Sequence, residues 1–447
     1  MKKVLTMMML CTAMTVQAQW YNGWSEKAGL VFSLHVTDSM PELYSPMQSS
    51  DPLPVSQCSR RGDTLNMECK SIGFKITLVE QGDTWVGTWR QGVIRETIVL
   101  EKADGIYQMS RPQTPQPPYR FEEETVVADY VDSKGNEVHL EGTLTYPQGK
   151  GRYPCVVMVS GSGQQNRDEE LFHHKPFLVL ADYLASRGIA MLRYDDRGVG
   201  DSRGAIDSAD TRLFAEDAEA MFRAVRKNKH VDRQRLGMGG HSEGGAIAPM
   251  VAARNEDVKF VVMLAGQGCS GLDVMVQQNE ALYRAKGVSG ELCAVRGACM
   301  RDLLVMQPTA TVAEMQAVVQ SYLDILSKEQ ADSIDLKRGM VYPLQQQLSV
   351  PWMQTFLQLD PVEYLPRVKC PMLALNGSKD CQVTATPNLD RVRELTNHRA
   401  TCVELADLNH LFQHCNTGGA AEYVQIEETI AVEAMEAVAE WILNLQK

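Results

Sequence analysis

The most specific chemistry in the chain sits in one pentapeptide, Gly240-His241-Ser242-Glu243-Gly244, between the apolar run Leu236 to Gly239 and a small-residue stretch, Gly245 to Ala253, that reads as a helix. A serine held at a sharp strand-to-helix turn needs glycine at both flanking positions, because neighbouring backbone closes in there. The turn lifts the hydroxyl clear of the sheet and aims the first free N–H groups of the helix at whatever the hydroxyl attacks. This context favours nucleophilic acyl transfer over a plain glycine-rich turn, and Ser242 is the expected nucleophile.

A serine hydroxyl is a weak nucleophile at neutral pH. It needs a base to take its proton and an acid to orient that base. On an open α/β sheet these partners follow the serine in chain order, in loops just past the carboxyl ends of strands. Pro371 to Gly377 reads as a buried strand with Ser378-Lys379-Asp380 in its loop, and Ala400 to Ala406 as the next, followed by Asp407-Leu408-Asn409-His410. Asp380 is the expected acid and His410 the expected base. His414 is the rival base. Asp407 is the rival acid, set aside because acid and histidine in this arrangement come from loops after different strands. Of the remaining histidines, His173 and His174 read as starting a helix, His230 as ending one, and His35 and His139 fall in β-rich segments.

The oxyanion formed on attack needs backbone donors. One is the N–H of Glu243, directly after the nucleophile. The other is expected in Gly161-Ser162-Gly163-Gln164, which follows the apolar run Pro154 to Ser160, with the Ser162 N–H as the best placed. These two glycines also fit an ordinary strand-end turn.

Together, the stretches Gly161 to Asp168, Tyr194 to Ser202, Gly240 to Gly245, Asn376 to Asp380 and Leu408 to Gln413 resemble the α/β-hydrolase superfamily. Within it they are similar to secreted bacterial carboxylesterases related to dienelactone hydrolases and serine aminopeptidases. The resemblance covers residues 119–447. It implies Ser242 as nucleophile, Asp380 as acid, His410 as base, and Glu243 with Ser162 as oxyanion donors. Glu243 departs from the commoner Gln or Met after the serine; its carboxylate either biases the pocket against anionic substrates or pairs with a nearby arginine. The Tyr194 to Ser202 turn is read as a tight loop packed near the elbow.

The elements that position these residues follow from patterning. Two strand-like runs, Glu124 to Tyr130 and Val138 to Tyr146, precede the strand ending at Ser160. Helix Lys175 to Arg187, strand Ile189 to Tyr194, helix Arg212 to Lys229, the elbow strand and strand Phe260 to Ala265 then alternate as a mostly parallel, doubly wound sheet requires. Pro249 falls inside the helix after the nucleophile and is expected to kink it. Between Gly271 and Pro366 the strand signal gives way to amphipathic runs such as Ala313 to Ser327, which reads as a helical cap inserted before the Asp380 strand. Met, Leu and Trp352 of this cap either line an acyl pocket or pack cap on core.

Ahead of this domain, residues 19–110 show short alternating apolar runs, such as Thr64 to Cys69 and Gly73 to Leu78, expected to form a small antiparallel β-domain. Residues 111–118, Arg-Pro-Gln-Thr-Pro-Gln-Pro-Pro, are expected to form a linker, since no sheet interior accepts them. Residues 1–18 read as a signal peptide: Lys2 and Lys3, an apolar run from Val4 to Val16 too short to span a bilayer, and a small-residue cleavage site before Gln19. A secreted or periplasmic protein without a membrane anchor is expected. Cleavage takes the net charge from −12 to −14, and no basic cluster exists to neutralise phosphates, so nucleic acid is excluded as a partner. Ten cysteines remain after cleavage, with Cys58 and Cys69, Cys293 and Cys299, and Cys381 and Cys415 the pairs to inspect for disulfides; none shows zinc-like spacing, and no metal or cofactor is expected.

The expected function is a serine esterase acting on a small-molecule carboxylic ester through an acyl-enzyme. The alternatives are a peptidase acting on short peptides with the same triad, and a noncatalytic binding protein in which the β-domain does the work.

Overall fold

The computed structural model describes residues 18–37, 40–48, 51–92, 94–306 and 309–445. The expected leader lies outside the described residues, Ala18 apart. The chain divides into two compact units, residues 1–110 and 111–447.

The first unit is one antiparallel sheet of β1 (Gln19–Ser25), β2 (Leu30–Val36), β3 (Glu42–Tyr44), β4 (Gln57–Arg61), β5 (Thr64–Cys69), β6 (Phe74–Gln81), β7 (Thr84–Gln91) and β8 (Ile94–Ala103), in the order β3-β2-β1-β8-β7-β6-β5-β4. Alternation sets its faces: Leu65, Met67 and Cys69 of β5 and Phe74, Ile76 and Leu78 of β6 are buried while the residues between them are not. Trp85, Trp89, Phe32 and Phe74 fill the core, with Phe32 and Trp89 ring centroids 5.1 Å apart.

The second unit carries the other sheet. Its strands are β9 (Phe121–Val131), β10 (Glu137–Pro147), β11 (Tyr153–Val159), β12 (Ala190–Tyr194), β13 (Val231–His241), β14 (Val261–Leu264), β15 (Met372–Gly377) and β16 (Thr401–Leu405), ordered β16-β15-β14-β13-β11-β12-β10-β9. β9 and β10 pair antiparallel, as do β10 and β12; all remaining pairs are parallel. Helices cover both faces, which is why β14 and β15 are buried at every residue. Helices α1 (Pro176–Ser186) and α11 (Val432–Asn444) pack on one face through Leu180, Leu184, Val438 and Ile442. On the other lie α2 (Thr211–Val225), α3 (Glu243–Ala252) and α10 (Ala385–Leu395), through Met221, Phe222, Ile247 and Leu389. Strand order reverses between β11 and β13, so the crevice beyond their carboxyl ends is the switch point of the sheet.

Between β14 and β15 the chain inserts α4 (Gly271–Ala285), α5 (Gly290–Leu304), α6 (Val312–Leu323), α7 (Lys328–Ser333), α8 (Val341–Leu348) and α9 (Pro351–Gln358), with their own core around Cys299, Leu303, Val319 and Val341. Short 3₁₀ turns at Pro361–Glu363 and Leu365–Arg367 lead back to the sheet. The start of α6 is set by Thr311, whose hydroxyl accepts from Glu314 N while the Glu314 carboxylate reaches back to Thr311 N.

Several local expectations are corrected. The helix read from Lys175 begins at Pro176, and His173 and His174 precede it in a Leu171–His174 bridge rather than starting it. Helix α2 stops at Val225, so His230 introduces β13 instead of ending a helix. As read, Pro249 falls inside the helix after the nucleophile, and α3 continues through it to Ala252. The proline-rich run is not a free spacer: Arg111 donates to the carbonyls of Phe172, Val424 and Ile426, and Gln113 to that of Ile430, all within the second unit. The ten described cysteines are free thiols. No described helix is long and apolar enough to cross a membrane.

Candidate active site

Strand β13 ends at His241 and α3 begins at Glu243, which leaves Ser242 alone at the turn with φ 53° and ψ −116°. The flanking glycines meet backbone, as a nucleophile elbow demands. A Cβ on Gly240 would stand 2.1 Å from Gly244 O, and one on Gly244 2.1 Å from Val159 O. The amide of Ser242 donates to Leu264 O at 2.8 Å, tying the turn to β14.

Asp380 lies in the loop after β15. Its Oδ1 accepts from the backbone N–H groups of Gln382 (2.7 Å) and Val383 (2.9 Å), which leaves Oδ2 turned to His410 Nδ1 at 2.8 Å. Both side chains are buried, at 0% and 3% exposure. His410 is presented by a tight turn after β16 in which Asn409 Oδ1 accepts from Leu411 N and Gln413 N. Ser242 and His410 line one cavity of about 150 Å³ with Ser162, Gln165, Gln382 and Leu411. The structure therefore brings together Ser242, Asp380, His410 and the loop carrying Ser162. It keeps the rivals away: Asp407 pairs with Lys379 at 2.8 Å on the surface, and His414 lies between Glu428 and Glu433, each at 2.9 Å.

The arginine partner expected as one course for Glu243 is replaced by two neutral donors. No described arginine pairs with it. Its Oε1 accepts from Thr211 Oγ1 at 2.6 Å and from the indole N–H of Trp352, on α9, at 2.8 Å. Burial holds its carboxyl above the ordinary value of 4.5, against hydrogen bonds from Thr211, Trp352 and the Ser162 side chain. Trp352 stacks on Phe356 with centroids 5.3 Å apart, and among the described residues none of the inserted segment 271–366 lines the Ser242 cavity.

Sequence reading passed over three groups. His241, 7% exposed, has Nδ1 3.0 Å from Glu169 Oε1 and Nε2 2.9 Å from the carbonyl oxygen of His410. Glu169 also accepts from Gly161 N at 2.6 Å. Asp196 accepts from Ser160 Oγ and Gln165 N, each at 2.9 Å, and burial pushes it up to about 8. The elbow motif names His241 by position only; Glu169 and Asp196 carry no spacing signal, since loops bring them in. The Tyr194 to Ser202 turn is held by Arg197, buried against Asp132 and Asp217, and by Asp195 with Arg167.

Chemically, the arrangement offers a hydroxyl at a helix N-terminus and a carboxylate-oriented imidazole that line one small cavity with the loop carrying Ser162. The family model for X-Pro dipeptidyl-peptidases (S15 family) matches residues 134–415. Esterase EstD of Thermotoga maritima is 28% identical over 292 residues, 63% of this chain and 62% of that protein, so the match spans less than two thirds of the relative's length. The structure of Est1E from Butyrivibrio proteoclasticus with ferulic acid bound is similar at 17% identity and a TM-score of 0.43, over 71% of this chain and 99% of that one. Dienelactone hydrolase from Anabaena variabilis is similar at 15% identity and a TM-score of 0.37, over 73% and 99%. With more than half its length matched by the family model, the chain has the α/β-hydrolase fold and belongs to the X-Pro dipeptidyl-peptidase (S15) family.

Proposed function

We propose that the protein is a serine hydrolase that cleaves small carboxylic esters through an acyl-enzyme. The observation that carries this reading is the buried Asp380–His410 pair opening on the same cavity as Ser242, itself strained at the elbow. His410 takes the proton of the Ser242 hydroxyl as Oγ attacks the ester carbonyl. Asp380 holds the tautomer and stabilises the imidazolium. The backbone N–H groups of Glu243 and Ser162 take the oxyanion, Gly161 N being occupied by Glu169. Collapse expels the alcohol with the proton from His410, and water repeats the sequence to free the acid.

Esters are favoured over peptides by the cavity. A peptidase taking a free amino terminus needs a carboxylate to meet the ammonium. Among the described residues Glu169 is the one acid lining the cavity, and its Oε1 is committed to Gly161 and His241. The esterase relative supports the same reading. We assign the protein to the secreted or periplasmic compartment on the leader expected over residues 1–18.

A fluorophosphonate probe tests the nucleophile: an adduct on Ser242 is expected, and its absence from a folded protein ends the reading in favour of a binding protein. Ser242→Ala is expected to lower ester hydrolysis by about 10⁴-fold or more with the fold intact. Profiling against acyl esters of graded length and aminoacyl-prolyl amides separates esterase from peptidase, and faster turnover of the amides would reassign the substrate.

A further inference from the structure

We propose that His241 is a buried imidazolium that positions the catalytic base, joining the backbone of His410 through Glu169 to the loop that carries Ser162. The inference rests on the triad reading above.

Both ring nitrogens of His241 face acceptors. Nδ1 meets the Glu169 carboxylate at 3.0 Å and Nε2 the His410 carbonyl oxygen at 2.9 Å. A carboxylate and a carbonyl oxygen only accept, whereas a neutral imidazole carries a single N–H. A neutral ring would therefore set lone pair against lone pair at one of the two contacts. Such a mismatch is costly where His241 is 7% and Glu169 6% exposed. Double protonation satisfies both contacts, and the carboxylate supplies the counter-charge.

The pair has a positional consequence. Glu169 Oε1 also accepts from Gly161 N at 2.6 Å, and the Glu169 backbone sits at φ 52°, a region few side chains other than glycine adopt. One carboxylate oxygen thus joins the loop after β11 to the residue preceding the nucleophile, and His241 passes the tie on to the main chain of His410. The base is held at two points: its ring by Asp380 and its carbonyl by His241, with the two imidazole centroids 4.7 Å apart. With both ring nitrogens turned to Glu169 and the His410 carbonyl, His241 acts through His410.

The groups that face His241 are Glu169 on the loop after β11, Asp380 on the loop after β15 and His410 on the loop after β16. Burial pulls His241 down, but the Glu169 carboxylate, the His410 carbonyl and Asp380 outweigh it and hold the ring above its ordinary 6.5. For a raised imidazole the tie is fully present below 6.5 and is lost as pH climbs through the raised value. The structure accordingly assigns an alkaline decline in kcat to His241.

The direct test is nitrogen NMR of the full chain labelled with ¹⁵N-histidine near neutral pH. His241 is assigned by the signal lost in His241→Asn, or by the signal moved in Glu169→Gln should the first variant fold poorly. Two protonated ring nitrogens on His241 are expected; one protonated and one bare nitrogen would overturn the inference. In kinetics, His241→Asn and Glu169→Gln are each expected to lower kcat by about 10-fold or more, the loss of one buried hydrogen bond to a charged group, with KM little changed. His241→Asn should also abolish the alkaline decline. Wild-type kcat with the decline retained in that variant would overturn the positioning role. Failure of the triad itself shows elsewhere, as an active Ser242→Ala or an absent phosphonate adduct, and the NMR result does not depend on either.

Discussion

Trp352 of the inserted helix α9 donates its indole N–H to Oε1 of Glu243, the residue that follows Ser242, across 2.8 Å. Thr211 at the start of α2 donates to the same oxygen. The insertion is thereby coupled to the residue whose own amide is assigned to the oxyanion, so Trp352 bears on the chemistry without lining the cavity. Trp352→Phe keeps an aromatic ring against Phe356 and removes only the donor. It is expected to lower kcat about 3- to 10-fold, since a lost partner for a buried acceptor costs on the order of 1 kcal/mol or more. Trp352→Ala should do the same and leave the ratio of kcat/KM between short and long acyl esters unchanged, since no described residue of the insertion lines the Ser242 cavity. Unchanged kcat in both variants would show the contact to be packing alone.

Asp380→Asn and Asp407→Asn separate the two acids. The first should depress kcat by about 10³- to 10⁴-fold through the wrong imidazole tautomer. Asp407 is exposed and pairs with Lys379 at the surface, so its substitution should change kcat by less than about 2-fold, as surface ion pairs generally do. Steady-state kinetics with one ester decides; the reverse ranking would move the acid to Asp407.

Glu243→Gln tests the buried carboxyl through its pH dependence. Burial raises the native carboxyl above 4.5, so the native state holds the proton more tightly than the unfolded chain, and the stability this confers fades as pH rises from 4.5 through the raised value. Glutamine does not titrate, and its amide oxygen can accept from Thr211 and Trp352 as Oε1 does. Thermal melts from about pH 4 to pH 8 should show Tm of the variant gaining on that of the wild type as pH rises. A constant difference would mean that the Glu243 carboxyl titrates alike in the native and unfolded chains.

Gly244→Ala should destabilise the protein by about 3 kcal/mol or more, since the added Cβ meets backbone that cannot rotate away. The contact is 2.1 Å to Val159 O. Denaturant unfolding checks this, and a loss below about 1 kcal/mol would show that the elbow can relax.

The order of elements along the second unit was legible because each carries its own period. Buried parallel strands such as Met372–Gly377 are continuous apolar runs, and α6 falls within the amphipathic run Ala313 to Ser327. Helix ends were read less well. Lys175 and His230 were misplaced at helix boundaries because local propensity changes little across the last turn, whereas Pro176 and the start of β13 set the real limits. The proline run at 111–118 reads as a spacer because proline excludes it from strands; its anchorage by Arg111 comes from carbonyls hundreds of residues downstream in the case of Val424 and Ile426.

By itself, the sequence determined the elbow at Ser242 and the chain order in which Asp380 and His410 follow it. Glycines that admit close backbone and apolar runs that end in polar loops are local necessities, written where they act. Only the tertiary structure decided which oxygen of Asp380 meets His410, that Glu243 is shared by Thr211 and Trp352, and that His241 stands between Glu169 and the backbone of His410. Each of these depends on loops from different strands converging at the switch point of the sheet. Burial there makes an unmatched donor or acceptor costly, and that cost selects one set of partners for charged side chains whose sequence positions alone leave many open.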